Sequence, residues 1–327
     1  MEYRRFGRLE WNVSEVGYGM WGVAGGEGGW TGSSDISGMA ALDHAINSGC
    51  NFFDTAWIYG RGHSEKMLGE VLRNHPGKTL YVATKVPPKN REWPSRRGDR
   101  LEQVFPPEHI KEYVEKSLQC LQLSSLDLLQ FHVWEDEWAK DESWMRVVDD
   151  LKREGLIRGI GISVNRWEPD NVVETLKTGM IDAVQVIYNI FDQAPEDLLM
   201  PVCRDLDIAV IARVPFDEGS LTGSLTLDSS WPAGDWRNSY FVPENLAATV
   251  ARVESLKQAL PADADLAEIA LRFILSNDTL ATTIPGMRSI AHVEANLACS
   301  QKGKLDDALK KQLRHHRWDR EPTQWSQ

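Results

Sequence analysis

Four residues suited to proton transfer occur in ordered steps along the chain: Asp54, Tyr59, Lys85 and His132. Asp54 closes the apolar run Asn51-Phe52-Phe53-Asp54, and Tyr59 follows in Thr55-Ala56-Trp57-Ile58-Tyr59-Gly60. Lys85 ends Val82-Ala83-Thr84-Lys85, and His132 ends Leu128-Leu129-Gln130-Phe131-His132. Any one of these, taken alone, reads as a solvated strand end. Together their chemistries complement one another. A tyrosine with a pKa of about 10 is a poor acid at neutrality unless a nearby cation stabilises its phenolate. Lys85 supplies that cation, Asp54 would keep its ammonium charged and placed, and His132 could orient a carbonyl by a hydrogen bond. The set suits proton donation to a carbonyl oxygen.

Such a set needs a scaffold that brings successive strand ends together. After a hairpin-like opening over Tyr3 to Trp11, short apolar runs alternate with longer segments of helical period, the signature of repeated βα units. Strands are predicted at Glu15–Gly19, Asn51–Asp54, Leu80–Lys85, Leu126–His132, Ile157–Ser163, Ala183–Val186, Ile208–Ala212 and Ala281–Ile284. Helices are predicted at Asp35–Ser48, Ser64–Asn74, Pro107–Leu121, Ser143–Glu154, Pro169–Lys177 and Pro195–Asp205. Two more, Pro243–Leu260 and Leu266–Ser276, precede the last strand, and Ile290–Cys299 and Leu305–His315 follow it. Pro107, Pro169 and Pro195 suit first turns, and Asp35 or Ser64 could cap. Eight right-handed βαβ steps close most naturally into a (β/α)8 TIM barrel with an N-terminal hairpin and extra helices near the C-terminus, a single domain over 1–327. Periodicity alone leaves a doubly wound sheet open. Long loops at Gly22–Ser34, Pro87–Pro106 and Gly223–Val242 each follow a strand, where a barrel places its active site.

A hydrophobic fraction of 42% leaves ample apolar side chain for such a core. The net charge of −12 argues against nucleic-acid or anionic-membrane partners. Cys50, Cys120, Cys203 and Cys299 form no C-x-x-C pair and read as reduced thiols; with no signal-like or membrane-spanning apolar run, a cytoplasmic protein is expected. Of 13 tryptophans, Trp21, Trp57, Trp93, Trp134, Trp231 and Trp236 fall in or beside loops, where an exposed indole needs something to pack on.

The run Phe53-Asp54-Thr55-Ala56 with Tyr59-Gly60, together with the strand-end lysine and histidine, resembles the catalytic tetrad of the aldo-keto reductases. The likeness extends through Phe6-Gly7-Arg8-Leu9, Gly17-Tyr18-Gly19-Met20-Trp21, Ser64-Glu65, Leu68-Gly69, Gly159-Ile160-Gly161-Ile162-Ser163, Gln185 before Tyr188-Asn189, and Ile284-Pro285-Gly286. It implies hydride transfer between a nicotinamide and an aldehyde or ketone. Tyr59 would be the general acid, Lys85 and Asp54 would lower its pKa, and His132 would orient the carbonyl.

The resemblance also implies a cofactor set. Met20, Trp21 and Asp54 would border the nicotinamide, and Ser163 and Gln185 would hold its carboxamide. Asn165 stands one position beyond the family's usual asparagine. Arg213, Val214, Pro215 and Phe216, with Leu221 and Gly223, fall on the loop that stacks on the ring and wraps the pyrophosphate. Arg213 replaces a common aromatic, and a planar guanidinium can also stack. Glu218 puts an acid near the pyrophosphate and Ser224 replaces a frequent lysine, so part of this loop is expected to turn away. Gly286, Arg288, His292 and Asn296 fall on the adenosine segment. An arginine with backbone N–H groups at a helix start favours a phosphate, which points to NADPH (NADP+) over NADH.

Trp21, Trp57 and Trp134 fall beside the family's pocket positions, where they would wall a funnel for apolar or flat carbonyl compounds or for sugars. Their alternative is packing beneath the long loops. A metal-dependent barrel would need several converging His, Asp or Glu ligands, and Lys85 between Asp54 and His132 opposes a cation. A cofactor-binding regulatory subunit of the same fold is the remaining alternative; the complete tetrad favours chemistry.

Overall fold

In the computed structural model, residues 1–23, 30–32 and 34–321 are described. Strands β1 (Tyr3–Phe6) and β2 (Trp11–Ser14) form an antiparallel hairpin. Eight further strands make one parallel sheet in chain order: β3 (Tyr18–Gly19), β4 (Phe52–Asp54), β5 (Tyr81–Val86), β6 (Leu126–Phe131), β7 (Ile157–Ser163), β8 (Ala183–Ile187), β9 (Ala209–Arg213) and β10 (Leu280–Thr283). The ends of this sheet meet, because Gly17 N donates to Thr283 O (2.8 Å) and Gly19 N to Pro285 O (3.0 Å). A Cβ on Gly19 would lie 2.5 Å from the Ile284 carbonyl oxygen, so this seam requires glycine. The sheet is therefore a (β/α)8 barrel.

The period of two along each strand sorts the barrel interior by height. At the N-terminal end, Phe52, Tyr81, Ala83, Leu128, Ala183, Ala209, Ile211 and Ala281 form an apolar cluster with Phe6, Trp11 and Val13 of the hairpin. Phe6 stacks on Trp11 (5.3 Å) and Phe52 (5.4 Å), and Trp11 stacks on Tyr81 (5.0 Å), so the hairpin plugs this end. Two residues further along, the same inward faces end in Asp54, Lys85, Gln130, Ser163, Gln185 and Arg213. A polar layer thus crowns an apolar one.

Outside the strands, amphipathic helices complete the main core. Helix Glu142–Arg153, for example, buries Trp144, Val147, Val148 and Leu151 at helical spacing. Helix Pro107–Leu121 begins at its proline as the sequence predicts. The predicted helix at Pro169 begins instead at Val173, because Asn171 is drawn into tertiary bonds with Glu135 (2.8 Å) and the Asp136 backbone N–H (3.0 Å). The segment after Pro195 divides into a 3-10 turn, Ala194–Glu196, and a helix, Leu199–Asp205. Ser34, not Asp35, caps the first helix, with Ser37 completing a capping box. Ser64 bonds Thr55 Oγ1 (2.7 Å) inside its helix and does not cap it.

Candidate active site

Register fixes the height of each polar group. Asp54 pairs with Gly19 across β3 and β4, Lys85 with Gln130 across β5 and β6, and Ser163 with Gln185 across β7 and β8. Lys85 Nζ, fully buried, donates to Asp54 Oδ2 (2.7 Å) and to the Thr55 carbonyl (2.8 Å), and lies 3.5 Å from the Tyr59 hydroxyl. The other Asp54 oxygen, Oδ1, accepts from Gln185 Nε2 (2.6 Å) and Gln130 Nε2 (3.2 Å). His132 meets Tyr59 edge to face at 6.0 Å, and its Nδ1 is buried without a partner. The four residues singled out for chemistry are therefore in one cluster.

Their electrostatics are set mainly by burial. Burial raises the Tyr59 phenol above its ordinary pKa, with Lys85 pulling against it and Asp54 adding to it. The expected net lowering is thus absent from the resting site, because desolvation outweighs the lysine. Burial pulls the Lys85 ammonium down, but Asp54 and Tyr59 more than offset it, and its pKa is raised. Burial, followed by Lys85 and Arg213, holds His132 well below the usual imidazole value. At neutral pH the site contains a protonated phenol, an ammonium and a neutral imidazole.

A cavity of about 1100 Å³ opens over this cluster at the C-terminal end of the barrel. It runs from Met20, Asp54, Tyr59 and His132 to Arg288 and Asn296 beyond β10. Among the described residues, no group of three or more His, Cys, Asp or Glu could hold a metal ion, and no helix is long and apolar enough to cross a membrane.

Comparison with known proteins agrees with this geometry. The family model described as "Aldo/keto reductase family" matches residues 15–317. The chain belongs to the aldo/keto reductase family. It is 31% identical over 304 residues to the NADH-specific methylglyoxal reductase of Escherichia coli, covering 89% of this chain and 91% of that protein. The holo form of aldo-keto reductase AKR11C1 from Bacillus halodurans superposes with a TM-score of 0.77 at 26% identity, covering 100% of both chains. An aldo-keto reductase from Klebsiella pneumoniae, solved with NADPH, shares the fold at a TM-score of 0.69 and 21% identity, covering 96% of this chain and 94% of that one. As a member of the family, the protein is an oxidoreductase that uses a nicotinamide cofactor.

The residues of this aldo/keto reductase fit such a group. Met20, Trp21, Asp54, Ser163, Asn165, Gln185, Arg213, Val214, Pro215, Phe216, Gly286, Arg288, His292 and Asn296 all line the cavity. Gly286 has open space where a Cβ would stand, and the Nε of Arg213 is buried and unpartnered beside the tetrad. Glu218 and Ser224 also line the cavity, so that part of the loop does not turn away. Leu221 is instead fully buried behind the loop, and Gly223 serves as its left-handed end. Asn165 donates to Ser95 Oγ (3.2 Å), the Trp134 carbonyl (3.1 Å) and Glu135 (3.2 Å), which turns its amide toward the neighbouring loop.

Two of the three expected substrate tryptophans lie elsewhere. Trp134 is fully buried, donates to Thr175 Oγ1 (2.8 Å) and packs on Phe131, Trp138 and Trp144. β6 ends at Phe131, so strand alternation no longer directs Trp134 inward. Trp57 packs edge to face on Tyr113 (4.9 Å) with Lys116 over its ring, on the helical side of its loop. Trp21 is where it was expected, 6.5 Å from the Tyr59 ring. The remaining wall comes from Trp93, edge to face with His132 at 5.9 Å, and Trp236, 5.9 Å from Trp21. Sequence reasoning missed both as pocket residues, and no local period could have revealed them. Gln130 was also missed, although its position two residues before His132 places it on the same strand face.

Proposed function

We propose that the protein reduces an aldehyde or ketone to the alcohol with NADPH, Tyr59 acting as general acid. The observation that carries this reading is the Tyr59 hydroxyl 3.5 Å from Lys85 Nζ, whose charge Asp54 fixes at 2.7 Å. When bound, the dihydronicotinamide supplies a hydride to the carbonyl carbon. The carbonyl oxygen, gaining negative charge, takes the Tyr59 proton, and Lys85 stabilises the phenolate left behind. Neutral His132 hydrogen-bonds the same oxygen and orients it. Ser163 and Gln185 would hold the carboxamide, for which Gln185 would exchange its bond to Asp54. Arg213 would stack on the ring, and Val214, Pro215 and Phe216 would border the ring and pyrophosphate. Leu221 and Gly223 shape the site from behind, and Asn165 lines it with its amide turned to the neighbouring loop.

The preference for NADPH rests on Arg288, which lines the far end of the cavity at the start of helix Ile290–Ala298, beside Gly286, His292 and Asn296. Trp21, Trp93 and Trp236 suit a flat or apolar carbonyl compound or the C–H face of a sugar. The excess of acidic residues disfavours nucleic acid, the four free cysteines suit the cytoplasm, and residues 1–327 form one domain on this reading.

The test is single-turnover reduction by Tyr59→Phe loaded with NADPH, using an aldehyde that the parent protein reduces. Hydride transfer should slow by about 10² to 10⁴-fold, the range for a general acid. NADPH affinity should hardly change, because the hydroxyl acts in the transition state. A near-parental rate would sink the assignment.

A further inference from the structure

Two arginines border the cavity near the tetrad, and they are treated differently. Arg166 has a carboxylate on several sides: Asp217 at 3.2 Å, Glu218 at 3.7 Å and Asp192 at 3.9 Å. Arg213 ends β9 on the inward face, two residues above Ile211 of the barrel interior. Its Nη2 donates to the Val164 carbonyl (3.1 Å), its Nε is buried without a partner, and among the described residues it makes no salt bridge. Burial and repulsion from Arg166 draw its pKa down to about 10, which still leaves it charged at neutral pH. A partly buried cation with no carboxylate at salt-bridge distance is costly to keep charged, so it marks a place where charge matters.

We infer that Arg213 makes the site discriminate between the two redox forms of the cofactor, its positive charge, tied to no carboxylate by a salt bridge, disfavouring the oxidised ring. The inference rests on the nicotinamide reading of the site given above. Hydride transfer takes two electrons and a proton from the dihydronicotinamide, turning a neutral ring into a cationic one, while the proton added to oxygen comes from Tyr59. A tyrosine or tryptophan at this position would attract the cationic ring through its π face. A guanidinium in the same place repels it, and the burial of its Nε limits how far water can screen the effect. The reduced cofactor is then captured from a mixed pool, and the oxidised cofactor leaves faster after turnover, product release being a step that limits many enzymes. The charge therefore favours carbonyl reduction as the working direction through cofactor exchange.

The experiment titrates the parent protein, Arg213→Met, Arg213→Gln and Arg213→Lys with NADPH, NADP+, NADH and NAD+, without substrate, by quenching of tryptophan fluorescence. The quantity read is the ratio of oxidised to reduced Kd within whichever pair binds. It should fall about tenfold in Arg213→Met and Arg213→Gln and stay near parental in Arg213→Lys. Tenfold corresponds to about 1.4 kcal/mol and to about 30 mV in the two-electron potential of the bound couple. Gln retains an N–H for the Val164 carbonyl, so the charge can be removed even where Met fails to fold. Equal changes in both forms would overturn the inference while leaving the cofactor reading in place. Unchanged affinity for both would remove Arg213 from the ring altogether and overturn it too. A parent protein that binds none of the four would instead refute the nicotinamide reading itself, and the inference with it.

Discussion

The sector of the cavity around β4, β5 and β6 holds its polar groups by pairing inside the barrel, whereas the sector beyond β9 and β10 holds its groups through loops. In the first, Asp54 accepts from Lys85, Gln130 and Gln185, all from strands within one sheet. In the second, buried Asp217 accepts from Ser220 (2.7 Å), Arg166 (3.2 Å) and Arg320 (2.6 Å), the last separated from it by 103 residues. Asp235 likewise accepts from the Thr31 backbone N–H (2.9 Å) and hydroxyl (2.7 Å), while Arg237 and Arg288 approach the Trp30 ring at 4.3 and 5.2 Å. Strand geometry determines the first sector, and long-range loop contacts determine the second. Damage to the first should therefore appear in chemistry, and damage to the second in cofactor binding and loop order.

The largest expected effect lies in the strand-built sector. Lys85→Met removes the cation beside Tyr59 and leaves Asp54 buried without its ion pair. Single-turnover reduction should slow by at least about 10²-fold, and urea unfolding should show a loss of about 3 to 5 kcal/mol, the usual result of breaking a buried pair. A variant that lost stability but reduced the carbonyl normally would show that Lys85 only holds the barrel together.

The next effect should separate the sectors. Asp217→Asn leaves Arg166 with Glu218 (3.7 Å) and Asp192 (3.9 Å), and Arg320 with Asp192 (2.8 Å), as their remaining carboxylate partners. A loss of about 3 kcal/mol in stability is expected, with faster amide exchange over residues 214–240. Cofactor affinity should fall, while single-turnover hydride transfer in the saturated enzyme stays near parental. A large drop in that rate would show that the loop network reaches the tetrad, and the two sectors would not be separable.

The same contrast governs what could be read in the sequence. The tetrad was legible because each member ends or follows an apolar run, and the period of two then fixes its direction and height. Strand β7 and helix Pro107–Leu121 have their predicted bounds for the same local reasons. Trp134 misled because it falls beside the family's pocket positions, yet the strand has already ended and its indole N–H finds Thr175 in the core. Trp93 and Trp236 reach the cavity only through the course of long loops. The Arg166–Asp217–Arg320 cluster joins three segments, none of which has a local pattern that announces the others. The pKa of Tyr59 was read in the wrong direction for a related reason: the lysine was visible in the sequence, but the burial that outweighs it was not.

A smaller effect than these two tests the loop-built sector most directly. Arg288 donates through Nη1 to the Thr31 carbonyl (2.8 Å) and borders the Trp30 ring, so part of its hydrogen-bonding capacity is already in use. Burial and the nearby Arg237 lower its pKa, yet a guanidinium remains charged at neutrality and has further N–H groups to offer. Its removal should then matter far more to a cofactor with a 2′-phosphate than to one without. Arg288→Ala should weaken NADPH relative to NADH by about 10 to 100-fold, corresponding to about 1.5 to 3 kcal/mol for a charge-assisted contact. Equilibrium titration with both cofactors measures it. If both affinities fell by the same factor, Arg288 would be acting through Thr31 and Trp30 as a loop fastener, and the preference for NADPH would lose its support. The E. coli relative, named as NADH-specific, makes this outcome worth separating from a simple loss of binding. A parental ratio with weaker binding and a reduced ratio with strong NADH binding point to different roles for the same side chain, and only the second leaves the phosphate contact standing.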